Sequence, residues 1–262
     1  VGGGGRHWRR RRRARGAHLG AHRRKRVGPR PVVRPRFGKG AGRVVLGRNA
    51  RGGEGGVGRV AADAQAPAAV KARCLRSVAT THALLVAPII LATHPLLQAV
   101  GAGDALPLPS AVEVGTQVAL CFLLEDFCFY WGHRALHTRA LYAAVHRVHH
   151  EHAAPFGAAA EFAHPAEVLF LGASTIVGPA LLGPHLLTLY VYLALRCMQT
   201  VECHSGYEFP WSLNVWLPWY GGAEYHDWHH KTYFGNYAST FTWWDAVYGT
   251  DAAYRAEAAK RK

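Results

Sequence analysis

The chain has 262 residues, enough for one or two domains; half are apolar, and 31 Lys and Arg face 16 Asp and Glu for a formal net charge of +15. Such a charge ordinarily points to nucleic acid or an acidic surface, but 18 of the 31 basic residues lie in residues 1–51, where no Asp or Glu occurs. The charge therefore belongs to a tail, and no nucleic acid partner is expected. The five cysteines form no CxxC pair, which argues against a Cys-ligated zinc or a disulfide framework.

Residues 1–70 are rich in Gly, Arg and Pro without apolar periodicity, so they predict a disordered basic tail. The segment lacks the order of a signal peptide. It reads as a solvated extension or targeting remnant, with an Arg-rich arm on nucleic acid or anionic lipid as the alternative. Residues 71–262 then form one membrane-embedded domain. Its first long apolar run, Val78 to Val100, can cross a hydrocarbon layer of about 30 Å; His82 and His94 within it have no partner at helical spacing and read as structural or interfacial. GAGDALPLPS leads to a second run, Ala111 to Trp131, which carries Glu125 and Asp126 near its end. Asp126, Tyr130, His133 and His137 share one helix face. Asp126 is thus placed to orient a ligand ring, or simply to reach interfacial water.

Three histidine clusters follow, HRALH (His133, His137), HRVHH (His146, His149, His150) and HDWHH (His226, His229, His230), and 12 of the 17 histidines fall between residues 133 and 230. Positions i, i+3 and i+4 lie on one helix face, so HxxxH aims two rings at one point and HxxHH adds a third on the flank. Neutral imidazole binds iron, zinc, copper or nickel. Eight such rings exceed the three or four protein ligands of one zinc, which predicts two metals with coordination positions open for oxygen chemistry. His152 and His164 are close enough in sequence to be further candidate ligands.

Between the clusters, the runs Glu167 to Leu182 and His185 to Val201 are separated by Gly183-Pro184 and predict a tight hairpin of two more spans. About four spans result, an all-α polytopic bundle. The tail, the histidine clusters and the C-terminal KRK share one face, which the positive-inside rule makes cytosolic. From Cys203 onwards the chain reads as a soluble cap whose Trp and Tyr suit an interfacial belt or a lipid pocket. No Walker A loop or GxGxxG appears, so direct nicotinamide binding is not indicated.

The segments LLEDFCFYWGHRALH, LYAAVHRVHHEHAAPFGAAAEFAHPAE, VECHSGYEFPW, GGAEYHDWHH and GNYASTFTWWDAVYGTD, together about residues 108–254, resemble the membrane fatty acid hydroxylase and sterol desaturase superfamily. Within it they are most similar to the 4-methylsterol monooxygenases, through HSGY, APFG, EFAHP and STFTWWD. The resemblance implies a helical protein of the endoplasmic reticulum membrane with a diiron site facing the cytosol. It implies O2-dependent oxidation of a sterol 4-methyl group through alcohol and aldehyde to carboxylate, with NAD(P)H electrons delivered by a b-type cytochrome and its reductase. By position it implies His133, His137, His146, His149, His150, His226, His229 and His230 as iron ligands, and His204 through the HSGY segment; Glu208, where fatty acid 2-hydroxylases look like a second histidine, does not match. Two other readings stay open at this point: a relative acting on fatty acyl or alkyl chains or desaturating sterols, and a zinc-binding or zinc-transporting membrane protein. Against the transporter, the clusters sit beyond the ends of spans rather than at mid-membrane.

Overall fold

The computed structural model describes residues 58–59 and 66–260. Apart from those two residues and residues 66–70, the expected basic tail lies outside them. Helix α1 (Ala68–Thr81) passes through a π turn (His82–Val86) into α2 (Ala87–Ala99), one continuous apolar rod. Pro88 has no N–H to return to the preceding turn, and the backbone widens there, with the Ala87 N–H bonded to His82 O. Helix α3 (Ala111–Leu136) starts at an N-cap in which Ser110 Oγ accepts from the Glu113 N–H at 3.2 Å. The hairpin predicted around Gly183 is present as α5 (Pro165–Leu182) and α6 (Leu186–Cys203), with Gly183 in the left-handed conformation.

Histidines 164 and 185 serve as the caps of α5 and α6, each ring Nδ1 accepting a backbone N–H. Short elements build the cap: α4 (Arg139–Ala144), α7 (Gly222–Thr232), α8 (Trp243–Tyr248) and α9 (Ala252–Ala259). A two-residue ladder pairs β1 (Gly58–Arg59) antiparallel with β2 (Tyr207–Glu208).

Helices α3 and α5 pack closely because Gly178 leaves no room for a side chain: a Cβ there would lie 2.8 Å from the Cys121 backbone. Small residues allow such approach between membrane helices. Val118, Cys121 and Tyr192 form the core beside this crossing. The two hairpin tips touch, since Leu186 N–H donates to Gly103 O at 2.7 Å and a Cβ on Gly183 would collide with Val100 O. The opposite ends of all four long helices meet the histidine cap. There Arg73 of α1 pairs with Glu151, α3 supplies His133, α5 supplies Glu167 and α6 leads into His204.

Ala68–Ala99 and Pro165–Leu182 are long and apolar enough to cross a membrane. Helices α3 and α6 run alongside with an internal ion pair, Arg196 Nε to Glu125 Oε1 at 3.0 Å, in a site where Glu125 is fully buried. Such charges in a bundle interior are tolerated only when paired. All five cysteines are free.

Candidate metal centre

The histidines come together from four places in the fold. HRALH ends α3, HRVHH forms a 3-10 segment (His146–Glu151), His204 follows α6, and HDWHH lies on α7. Two groups result, each with its ligand atoms within 4.8 Å of one another: His133, His137, His146, His150 and His229 in one, and His149, His204, His226 and His230 in the other. Each HxxHH motif is split in the same way. Residues i and i+4 enter one group and residue i+3 the other, so the two motifs interlock the two groups.

The Nε2 atoms converge. In the first group His133 and His146 are 3.1 Å apart, and His150 is 3.1 Å from His146 and His229 and 3.3 Å from His137. In the second, His226 is 2.9 Å from His204 and 3.2 Å from His230, and His204 is 3.3 Å from His149.

The far side of most rings is tied down. Nδ1–H of His133 donates to Tyr237 O at 2.8 Å, His146 to Glu167 Oε1 at 2.8 Å and His149 to Phe162 O at 3.3 Å. His204 donates to Thr200 O at 2.8 Å, His229 to Gly235 O at 2.6 Å and His230 to His152 O at 3.1 Å. Spending Nδ1–H on these acceptors leaves Nε2 as a bare lone pair. Lone pairs facing one another at about 3 Å repel, and a cation between them removes the conflict. Nitrogens held at about 2.0–2.1 Å from one ion would lie roughly 3 Å apart, which is the spacing seen. The donor set therefore fits a divalent transition metal in each group.

Protonation of the free rings is suppressed. Burial, reinforced by neighbouring imidazoles, lowers His137 and His204 to about 3 and His149 to about 4, and pushes His146, His150, His226, His229 and His230 down as well. The rings are thus ready to bind metal without first losing a proton near neutral pH.

His152 and His164 lie outside both groups. The His152 ring packs on Phe156 and Phe162, and only its carbonyl reaches the site, through His230. His164 caps α5. Asp126 does not touch a ring, in contrast to the role assigned from helix spacing: it accepts the N–H groups of Thr240 and Phe241 and the Trp243 indole, each at 3.0 Å. It lies about two turns before His133 on α3, and it acts on the segment that carries Tyr237 instead. Asp245 pins that segment from the other side by accepting Tyr237 N–H and Ala238 N–H. Glu208 accepts from Asn214 and from the Glu224 N–H, away from both groups.

Sequence reasoning missed Glu167, the carboxylate that does orient one of the clustered rings, that of His146. Its one signal was an acid at the head of an apolar run.

A cavity of about 660 Å³ opens beside the histidines, within the roughly 300–1,000 Å³ of small-molecule sites. His133, His146, His149, His204 and His226 line one end, and its walls are apolar residues of the π turn, α2, α5 and α6 such as Val86, Ile90, Leu169, Ile176 and Leu193.

The fatty acid hydroxylase family model matches residues 118–250, which hold every one of these histidines. The chain belongs to that family. Methylsterol monooxygenase 2-2 of Arabidopsis thaliana is 52% identical over 190 residues, 71% of each chain. Methylsterol monooxygenase 2-1 of the same plant is 48% identical over 198 residues, 70% of this chain and 73% of that one. Very-long-chain aldehyde decarbonylase GL1-11 of Oryza sativa subsp. japonica is 52% identical over 186 residues, 70% of each. No solved structure matches the chain. The family and these relatives make this member of the fatty acid hydroxylase family an oxidoreductase with histidine groups compatible with metal.

Proposed function

We propose that the protein is a diiron monooxygenase that oxidises the 4-methyl group of sterol precursors with O2, through alcohol and aldehyde to carboxylate. The observation that carries this reading is the convergence of nine imidazoles in two groups, five of which line one end of an apolar cavity. His133, His137, His146, His150 and His229 would hold one iron, and His149, His204, His226 and His230 the other. Bound there, the irons would supply the redox chemistry that activates O2 toward an unreactive C–H bond.

The chain's own contribution is placement. Backbone carbonyls and Glu167 lock the rings, so the groups stay organised through repeated turnover. The apolar wall of α2, α5 and α6 takes the hydrocarbon body and excludes water. Four spans with both hairpin tips on the lumenal side would put the cap at the cytosolic face of the endoplasmic reticulum. A b-type cytochrome and its reductase, drawing on NAD(P)H, would deliver electrons there.

The test removes one ligand from each group. His149→Ala and His229→Ala are expected to abolish 4-methylsterol oxidation and lower iron content while the protein still inserts into membranes. Normal turnover by either variant overturns the diiron assignment. A second reading, action on long-chain aldehydes, is favoured by the rice relative at equal identity. Turnover of a 4-methylsterol against a long-chain aldehyde, by one preparation in one lipid, separates the two.

A further inference from the structure

Besides the clustered imidazoles and the Cys197 thiol, four ionisable side chains line the cavity: Arg196, Glu167, His82 and Glu161. Arg196 is held by Glu125 at 3.0 Å and Gln199 at 2.6 Å, and Glu167 by His146. His82 and Glu161 are different. His82 Nδ1–H donates to Val78 O at 2.9 Å, leaving Nε2 turned toward Glu161 Oε2 at 3.8 Å, which is too long for a direct hydrogen bond. Both side chains are partly open, at 44% and 41% exposure.

Their position is set by the backbone. His82 begins the π turn between α1 and α2, a device that re-aims side chains and recurs at functional sites. Glu161 ends a 3-10 segment (Gly157–Glu161), one residue before Phe162, whose carbonyl holds the ring of His149. The pair therefore stands at the metal end of the cavity, not at its apolar end.

A single hydroxyl fits this gap. Its proton can be given to the Glu161 carboxylate, a charge-assisted bond, with the lone pair on His82 Nε2 as a second acceptor beside it, a pairing that an ether oxygen cannot make. In a sterol with a methyl at carbon 4, the hydroxyl at carbon 3 sits on the carbon next to the one bearing that methyl. A group that reads this hydroxyl must lie close to the oxidising centre. A plain long-chain aldehyde has nothing to offer there.

We propose that His82 and Glu161 clamp the ring hydroxyl beside the carbon substituent being oxidised, and so select hydroxylated ring substrates over plain alkyl chains. The proposal rests on the sterol reading above, which it sharpens to a 3-hydroxy-4-methyl pattern.

The experiment uses the full chain, loaded with iron in lipid nanodiscs, and two probes: a 4,4-dimethyl-3β-hydroxysterol and its 3-O-methyl ether. Equilibrium binding and turnover are measured for the wild type, His82→Ala and Glu161→Gln, with iron content and thermal midpoint read alongside. The wild type is expected to prefer the hydroxysterol by about tenfold in Kd and KM, the size of one good hydrogen bond. Each variant is expected to bring that preference toward one at unchanged iron content. A wild type that oxidises both sterols without preference, or variants that keep the preference or weaken both probes equally, overturns the clamp and leaves the sterol reading standing. A wild type that binds neither sterol yet oxidises a long-chain aldehyde overturns both. Glu161→Gln keeps the size of the partly exposed side chain, so it still reports if His82→Ala fails to fold.

Discussion

Glu167 shows how much one side chain sets at this site. It is buried, and its Oε1 takes the Nδ1–H of His146, fixing which nitrogen of that ring faces the first metal group. Outer partners of this kind are worth about 10–100-fold in metal affinity. Glu167→Ala is expected to weaken metal binding by that factor, and Glu167→Gln, which keeps an acceptor, by less; titration of the metal-free protein with a divalent ion checks both. The histidines also impose a pH dependence. Their folded-state pKa values fall to about 3–4 for His137, His149 and His204, against about 6.5 unfolded. Between those limits the unfolded chain binds more protons than the folded one, so stability rises with pH across this window. It is fully present above about 6.5 and drains away on acidification toward 4. The thermal midpoint of the metal-free protein is expected to drop over that range. Metal should be released over the same range, since protons compete for Nε2.

At the scale of elements, the site depends on segments that carry no ligand. Residues 237–243 are held by Asp126 of α3 and by Asp245 of α8, and Tyr237 passes that order to His133 through its carbonyl. Asp126→Ala removes the acceptor of two backbone N–H groups and an indole, all in a buried setting. A loss of about 3 kcal/mol is expected, together with looser metal binding, because bonds to a charged acceptor are strong and the orphaned donors stay buried. Chemical denaturation and metal titration of the same variant check the two effects. The α3–α5 crossing offers a second test. Gly178→Ala forces a methyl against the Cys121 backbone, a contact of 2.8 Å that no side-chain rotation relieves. Destabilisation of about 1–3 kcal/mol is expected from such overpacking.

For the whole molecule, the joined hairpin tips at one end and the histidine groups at the other make a bundle with two chemically different ends. The tip loops are nearly uncharged, whereas the cap carries the histidines, Arg73 and Glu151. If the bundle spans the bilayer as proposed, an epitope inserted at Gly103–Asp104 is expected to be protected from protease in sealed microsomes, while one at the C-terminus is cleaved. Cleavage at both would place the tips on the cytosolic side and remove the four-span arrangement.

The helices were legible because their apolar runs and their punctuation are local. The runs from Ala111, Glu167 and His185 became helices that start within two residues of where hydropathy and the Gly183-Pro184 break put them, while the run from Val78 lies in a rod that starts ten residues earlier, at Ala68. The identity of the nine clustered histidines was legible as well, since motif spacing and family resemblance are properties of the sequence. What the sequence could not divide was the set itself. Only the tertiary fold sends residue i+3 of each HxxHH motif to the opposite group, because HRVHH takes a 3-10 turn and α7 packs across it. The orienting carboxylate was misassigned for the same reason: helix periodicity predicts neighbours on one helix, and Glu167 reaches His146 from another. His82 was read alone in the sequence and Glu161 carried no signal there; the π turn and the cap bring them to one cavity across 79 residues of chain. Local pattern determines which side chains are available; long-range packing decides which of them meet.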